Sequence, residues 1–304
     1  MTDAPRTAGR PGGGAEAATG ADGGRLRNGE PRLPDLSVRA ADLTELMDAP
    51  ECDAAMLART FRRFAVINPL VGGWGAVWRR HVGPALVQER RARILDLGCG
   101  GGDLARMLAR RARRAGLDVE VVGVDPDERA IHAARRTPAD GVTFRSAASD
   151  ALVAAGERFD VVVSNHVLHH LSVPERDGFL ADSAVLAERR VVHSDIRRSE
   201  AAYRSYAFAA PALAAGTFVL VDGLRSIRRS YTQSELAAVV PPGWRVEQSR
   251  PHRVLAIHDT SSFPRSPPRS SGTPSPWSPR SGRSAVSSST RSRPAACPRT
   301  SCIR

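Results

Sequence analysis

The residues best placed to do chemistry begin with the run Asp96-Leu97-Gly98-Cys99-Gly100-Gly101-Gly102. So many glycines let a backbone turn sharply and approach a ligand closely. The apolar run RILDL (93–97) leads into the loop and reads as a strand. DLARMLARRARRAG (103–116) follows it, with Leu104, Met107 and Leu108 on one helical face. Asp103 suits the N-cap of that helix and Gly116 its C-terminal stop. A helix N-terminus offers free N–H groups and partial positive charge to a ligand. Asp125 ends the β-branched run VEVVGV (119–124). A carboxylate at that place can accept both hydroxyls of a ribose.

The pattern leaves two nucleotide-like ligands open. A dinucleotide fingerprint reads Gly-x-Gly-x-x-Gly. Counted from Gly98, Asp103 takes the place of the third glycine; counted from Gly100, Ala105 does, which the looser form allows. In either register Asp103 stands where a pyrophosphate would lie, and it would repel one. A ligand with an amino group and a ribose, but no phosphate, suits Asp96 and Asp103 better.

A second group of polar residues follows FDVVVSN (159–165), a strong strand candidate. Asn165 ends that strand beside the ligand, and His166, His169 and His170 come next. His193 and Asp195 lie on the run ERRVVHSDI (188–196). A hydroxyl group that must lose its proton needs a nearby acceptor, and His166 and His193 are the candidates for it. His166 and His170 are spaced as two ligands on one helix face, but no third ligand is near in sequence, so no metal is expected. His169 and His170 read as packing or capping residues. Tyr203, Tyr206 and Tyr231 all fall between residues 197 and 232, with the apolar stretch FAAPALAAGTFVLV (208–221) and Arg225, Arg228 and Arg229. Such an insertion fits a lid over an apolar or aromatic substrate, with Tyr203, Tyr206, Arg228 and Tyr231 as polar tips; it equally fits a packed helix pair. Thr232 and Glu235 form a capping box for a further helix.

The elements that must position these residues alternate. Strand-like runs at 93–97, 119–124, 142–144, 159–165 and 188–196 are separated by amphipathic stretches, and WRVEQS (244–249) and RVLAIH (253–258) make a late pair. The expected fold is α/β: a Rossmann-like, doubly wound, mostly parallel seven-stranded sheet with helices on both faces and an antiparallel last strand. Ligands in such sheets sit at the C-terminal ends of the strands. Residues 37–90 should add two or three helices, with Phe61, Phe64, Ile67, Leu70, Trp74 and Trp78 on their apolar faces.

Three ordered motifs resemble those of the class I S-adenosylmethionine (SAM)-dependent methyltransferases: ILDLGCGGGDLA, VVGVDPDERAIHAAR and FDVVVSNHVLHHL. The resemblance covers about residues 37–259. It implies SAM as cofactor, held by Asp96, Gly98, Cys99, Gly100, Gly102, Asp125, Pro126, Asn165 and His166. The family's third motif often places an acidic residue beside the adenine; FRSAASDAL here offers Ser149 and Asp150. The resemblance also implies that the N-terminal helices cover the cofactor. RVVHSDIRRS and DGLRSIRRSYT look like a bacterial subgroup that methylates quinones and polyketides. The acceptor is then a small molecule, most simply a hydroxyl of a phenolic, quinol or polyketide-like compound. The alternatives are an RNA or nucleobase methyltransferase and a non-catalytic SAM-binding protein. The fourth motif reads SNHV and lacks the Asn/Asp-Pro-Pro-aromatic pattern used for amino groups of bases.

Bulk composition agrees with a small-molecule enzyme. Of the net charge of +12, the stretch Ser261 to Arg304 contributes eight arginines and no acidic residue, which leaves about +4 elsewhere. No lysine occurs in the chain, so the arginine excess reads as coding bias rather than a nucleic-acid surface. Residues 1–36 are expected to be a disordered leader and 260–304 a disordered Ser/Pro/Arg tail, whose abrupt composition is what a shifted reading frame would produce. Cys52, Cys99, Cys297 and Cys302 form neither a zinc spacing nor a disulfide framework. No apolar run is long enough to span a membrane, and no signal-peptide pattern opens the chain, so a cytoplasmic protein is expected. The sequence carries no sign of oligomeric state.

Overall fold

Apolar β-branched runs supply the sheet, and residues such as Gly102, Asp127, Ser172 and Thr232 between them start covering helices. The computed structural model describes residues 33–86 and 91–260. The expected leader up to residue 32 and the tail from 261 onward, with Cys297 and Cys302, lie outside the described residues. The described strands are β1 (Ala92–Leu97), β2 (Val119–Asp125), β3 (Val142–Ser146), β4 (Phe159–Asn165), β5 (Ala187–Ile196), β6 (Trp244–Ser249) and β7 (Arg253–Asp259). The helices are α1 (Ala54–Val71), α2 (Trp74–Val77), α3 (Asp103–Arg114), α4 (Glu128–Arg135), α5 (Ser149–Ala154), α6 (Val173–Leu186), α7 (Glu200–Ala209), α8 (Val219–Arg229) and α9 (Gln233–Val239). A π-type turn, Trp78–Val82, continues α2.

The strands form one sheet in the order β3-β2-β1-β4-β5-β7-β6. β1 to β5 pair in parallel, and β7 runs antiparallel to both β5 and β6. The fold is therefore the expected doubly wound α/β sheet with a reversed last strand. The order reverses between β1 and β4, and a crevice opens outside their carboxyl ends at such a switch point. Residues on β1 show how both faces are covered. Ile94 packs with Trp74, Trp78, Leu104 and Leu108, whereas Leu95 packs with Leu152, Phe159 and Leu186. Burying residues of this size contributes about 1.5–3 kcal/mol each.

The expected boundaries hold with small shifts. α6 stops at Leu186 and β5 begins at once at Ala187, one residue before the expected strand at 188–196. α3 ends as expected: Gly116 takes φ +71°, and the Leu117 amide turns back to the Ala112 carbonyl at 3.0 Å. The helix start differs. Its N-cap is Gly102, not Asp103, because the left-handed conformation of Gly102 carries the chain into the helix with no side-chain cap. Thr232 and Glu235 do make the capping box of α9. Among the described residues no helix is long and apolar enough to cross a membrane.

Candidate active site

After β1 the chain folds back over the end of β2. The amides of Gly98 and Cys99 both donate to the Val124 carbonyl at 2.9 Å, and the Gly100 amide donates to Asp125 Oδ2 at 2.9 Å. Asp125 Oδ1 accepts from the Asp127 amide at 2.9 Å, so this carboxylate ties two loops together. Glycine is required at two points. Gly98 has φ +68°, and a Cβ there would stand 2.6 Å from Val167 Cγ2. Gly102 has φ +76°, and a Cβ there would collide with the Phe144 ring. The contact of Gly98 with Val167 brings the loops after β1 and β4 together as the floor of the crevice.

Asp96 lies beneath this floor, 1% exposed, and neither of its oxygens makes a well-formed hydrogen bond. Burial first, and then the nearby Asp103 and Asp125, hold its carboxyl well above the usual carboxylate range, against some pull from the Ala105 amide. Burial likewise raises Asp125 and Asp103, although Asn68 Nδ2 donates to Asp103 Oδ2 at 3.0 Å. Burial and then Asp96 push the Cys99 thiol up, so it is a neutral packing group. This half of the crevice gathers three carboxylates whose charge Arg106 eases only in part. Phe61 of α1 lies against Gly100 and Gly101, and α1 thus covers the loop.

Beyond β4 the character changes. Asn165 Oδ1 accepts from Trp74 Nε1 at 3.1 Å and from Arg253 Nη2. Arg253 Nη1 meets His166 Nε2, and Arg253 Nε donates to Ser194 Oγ at 3.2 Å. His166 is held at φ +62°, uncommon for a residue other than glycine, and its amide donates to the Ser194 carbonyl at 2.9 Å. Burial, and then Arg253, keep its pKa well below the ordinary value, so the ring is neutral. An always-protonated guanidinium can only donate, so the Nε2 lone pair is engaged and the ring proton sits on Nδ1. In this geometry His166 is not poised as a base. Sequence reasoning missed Arg253; its one signal was a charged residue opening the otherwise apolar run RVLAIH. It also read Trp74 only as an apolar face.

His169 is fully buried between two carboxylates. Nδ1 lies 2.7 Å from Asp195 Oδ1, and Nε2 lies 3.4 Å from Glu45 Oε1. Desolvation lowers its pKa, but Asp195 and Glu45 outweigh it and bring it up to about 9. Asp195 is correspondingly held far below its ordinary value. His170 adds a contact of 3.1 Å to Asp48 Oδ2. Glu45, His169 and His170 stand close enough to resemble a metal centre. Both nitrogens of His169 face carboxylates, however, and an imidazolium has no lone pair for a metal. The cluster is an ion-pair network that ties the N-terminal segment to the end of β4.

The remaining expected residues divide. His193 lies inside the sheet, 0% exposed, not at the crevice. Its Nδ1 shares a hydrogen bond of 2.8 Å with Ser164 Oγ, and its ring packs between Phe179 and Trp244. Burial drops its pKa to about 3, so it is a neutral core residue and not the expected base. Tyr231 is also core: Arg39 stacks over its ring at 4.2 Å, and Arg176 Nη1 donates to its hydroxyl at 3.5 Å. Its side chain serves packing rather than a substrate. Tyr206 is half-buried and donates to the Val219 carbonyl at 2.6 Å, which joins α7 to α8. Tyr203 and Arg228 are half-buried on the same two helices. Ser149 Oγ donates to Asp182 Oδ2 at 2.6 Å, whereas Asp150 and Pro126 are exposed past the ends of β3 and β2.

The insertion 197–232 closes against the N-terminal segment. Asp222 accepts from the amides of Leu46 and Met47 at 2.8 and 2.9 Å, Thr60 Oγ1 accepts from the Phe218 amide at 3.0 Å, and Ser226 Oγ donates to Glu45 Oε1 at 2.8 Å. The apolar stretch of the insertion is split by this packing: Phe218 and Val219 are buried, while Phe208 is 91% exposed.

With the sheet order, the glycine loop and its acidic partners in place, similarity to known proteins can be weighed. Residues 94–189 match a family model described as a methyltransferase domain. Over about a third of its length the chain is thus similar to methyltransferase domains. Over 85 residues the chain is 45% identical to the ubiquinone biosynthesis O-methyltransferase of Roseobacter denitrificans, a match covering 27% of this chain and 32% of that protein. The enzyme of the same name from Parvibaculum lavamentivorans is 38% identical over 95 residues, covering 30% and 34%. The matched part thus spans about a third of the length of these curated relatives. Among solved structures, the magnesium protoporphyrin IX methyltransferase of Synechocystis PCC 6803 with bound SAH aligns over 66% of this chain and 84% of that one, at 18% identity and a TM-score of 0.41.

Proposed function

We propose that this chain binds SAM over its glycine loop and transfers the methyl group to a hydroxyl of a small phenolic, quinol or polyketide-like acceptor. Residues 37–259 form the catalytic unit in this reading, in the cytoplasm. The observation that carries it is the buried, unpartnered Asp96 carboxylate with Asp103 and Asp125 beside it. An isolated buried carboxylate is costly, and a cationic ligand relieves that cost. SAM carries an ammonium and a sulfonium and no phosphate, whereas a pyrophosphate would face three acidic groups.

Asp96 is assigned to the amino end of the cofactor, through the Gly98–Gly102 loop, and Asp125 to the ribose hydroxyls. Cys99 and Pro126 shape the two turns, and Ser149 and Asp150 flank the adenine side. Asn165 and His166 border the reacting end. When bound, SAM supplies a methyl group already activated by its sulfonium. Phe61 and α1 keep water from the loop, which strengthens electrostatic effects inside. Tyr203, Tyr206 and Arg228 are assigned to the cover on the acceptor side. The relatives' names, O-methyltransferases of a quinone pathway, support a hydroxyl acceptor.

The test is calorimetric titration of the full-length protein with SAH and, separately, NAD, followed by transfer of labelled methyl from SAM to a panel of phenols and quinols. Saturable SAH binding without NAD binding, and label in an ether product, are expected. Absence of SAH binding would overturn the reading. Label entering tRNA instead of the phenols would replace the acceptor class.

A further inference from the structure

Neither expected histidine stands ready as a base, yet the acceptor side of the crevice holds a buried cation. Arg253 is 4% exposed, and no carboxylate among the described residues lies within 4.0 Å of its nitrogens. A guanidinium has five N–H donors. Ser194, His166 and Asn165 take one each, which leaves one N–H on each terminal nitrogen without an acceptor among the described residues. All three partners are neutral. The charged or titratable groups facing Arg253 are Asp195 on β5, already committed to His169, and His166 and His169 after β4. Burial lowers the Arg253 pKa to about 10, which still leaves it charged at neutral pH. A buried, unpaired charge is expensive unless a ligand neutralises it.

We infer that Arg253 binds the acceptor's oxygen as an oxyanion, so that the acceptor is an acidic hydroxyl compound, such as a phenol or enol, that enters the site ionised. The inference rests on the methyltransferase reading above. The placement supports it: the carboxylate-rich half for the cofactor lies at β1 and β2, Asn165 and His166 stand at the border, and Arg253 opens β7 on the far side. The acceptor's proton leaves to bulk water on binding. The oxyanion's electron pair then forms the O–CH3 bond as the methyl–sulfur bond breaks, and sulfur keeps that bond's pair to become a neutral thioether. The guanidinium replaces a general base by stabilising the ionised acceptor before transfer.

The probe is 4-nitrocatechol, whose ionisation is visible by absorbance, added to the SAH-saturated full-length protein across pH 4–9. Binding should lower its apparent pKa by about one unit, a tenfold stabilisation of the phenolate. Arg253→Gln should abolish the shift, and Arg253→Lys, which keeps the charge on a packed side chain, should retain part of it. No shift with the parent protein, or an equal shift in Arg253→Gln, overturns the inference while SAH binding leaves the methyltransferase reading standing. An intact shift in Arg253→Gln together with a tenfold loss of SAH affinity would assign Arg253 to the cofactor carboxylate and overturn it too. Failure of SAH to bind the parent protein defeats both.

Discussion

The two halves of the crevice carry opposite electrostatics on one sheet. Around β1 and β2, burial raises the proton affinity of Asp96, Asp103 and Asp125, Asp103 and Asp125 raise that of Asp96 further, and Arg106 offsets this only in part at Asp96 and Asp103. Around β5 and β7, Asp195 is fully paired with protonated His169, and the surplus charge is the positive Arg253. Under the proposed function the first half is completed by a cationic ligand. The second contains a finished ion pair, which serves structure, beside an unfinished cation. Burial alone does not separate these roles; whether each charge has its partner does.

The largest expected effect comes from breaking the finished pair. Asp195→Asn should cost about 3–5 kcal/mol, read by denaturant unfolding, because it strands a buried imidazolium. His169 is raised to about 9, so its contribution is complete below about pH 6.5 and is lost as pH rises through 9; that of Asp195, whose pKa is depressed, is present above about pH 4 and lost in acid. Parent stability should therefore hold between those limits, and Asp195→Asn should flatten both edges. A stability loss below 1 kcal/mol would mean that the pair is not formed.

Asp96→Asn should do the reverse on the unfinished side. It should weaken SAH binding by about a hundredfold while stabilising the ligand-free protein by about 1–3 kcal/mol, since it removes an unpaired buried carboxylate. Because the Asp96 pKa is raised, the parent loses stability as pH climbs from about 4 through the raised value, so the gap to Asp96→Asn should widen with pH. Equal SAH affinity in both would place the cofactor elsewhere. His193→Gln lies outside both halves: it should cost about 1–3 kcal/mol in stability yet leave the pH profile of kcat/KM unchanged in shape, as a group titrating near 3 cannot set an inflection at neutral pH. Loss of an inflection would return His193 to the chemistry. The smallest effect is Asp150→Ala, an exposed rim position, expected to change SAH affinity less than about threefold.

Much of the carboxylate-rich half was legible in the sequence, because it is local. A strand, four glycines, a helix and an acidic residue after the next strand fix one another within about thirty residues. The half around Arg253 is assembled from distant pieces. Arg253 reaches His166 and Asn165 only because β7 inserts between β5 and β6, and no spacing in the chain announces that pairing. His193 misled for a related reason: its place on a strand before Asp195 was visible, but not that strand alternation turns it under α6 and Trp244. Tyr231 stood in an aromatic insertion, yet Arg39, from the other end of the chain, claims its ring face. Asp103 followed the capping rules on paper and lost that role to the backbone freedom of Gly102.

The N-terminal segment and the insertion, far apart in sequence, are stitched together. Leu46, Met47 and Thr60 on one are joined to Phe218 and Asp222 on the other by backbone-directed hydrogen bonds. A door made in two leaves and locked in this way opens as one. In the proposed reading these two leaves lie over the cofactor, and the spent cofactor departs when they open. Turnover in steady state would follow the rhythm of that door, and a burst of first product ahead of the steady rate would be its kinetic trace.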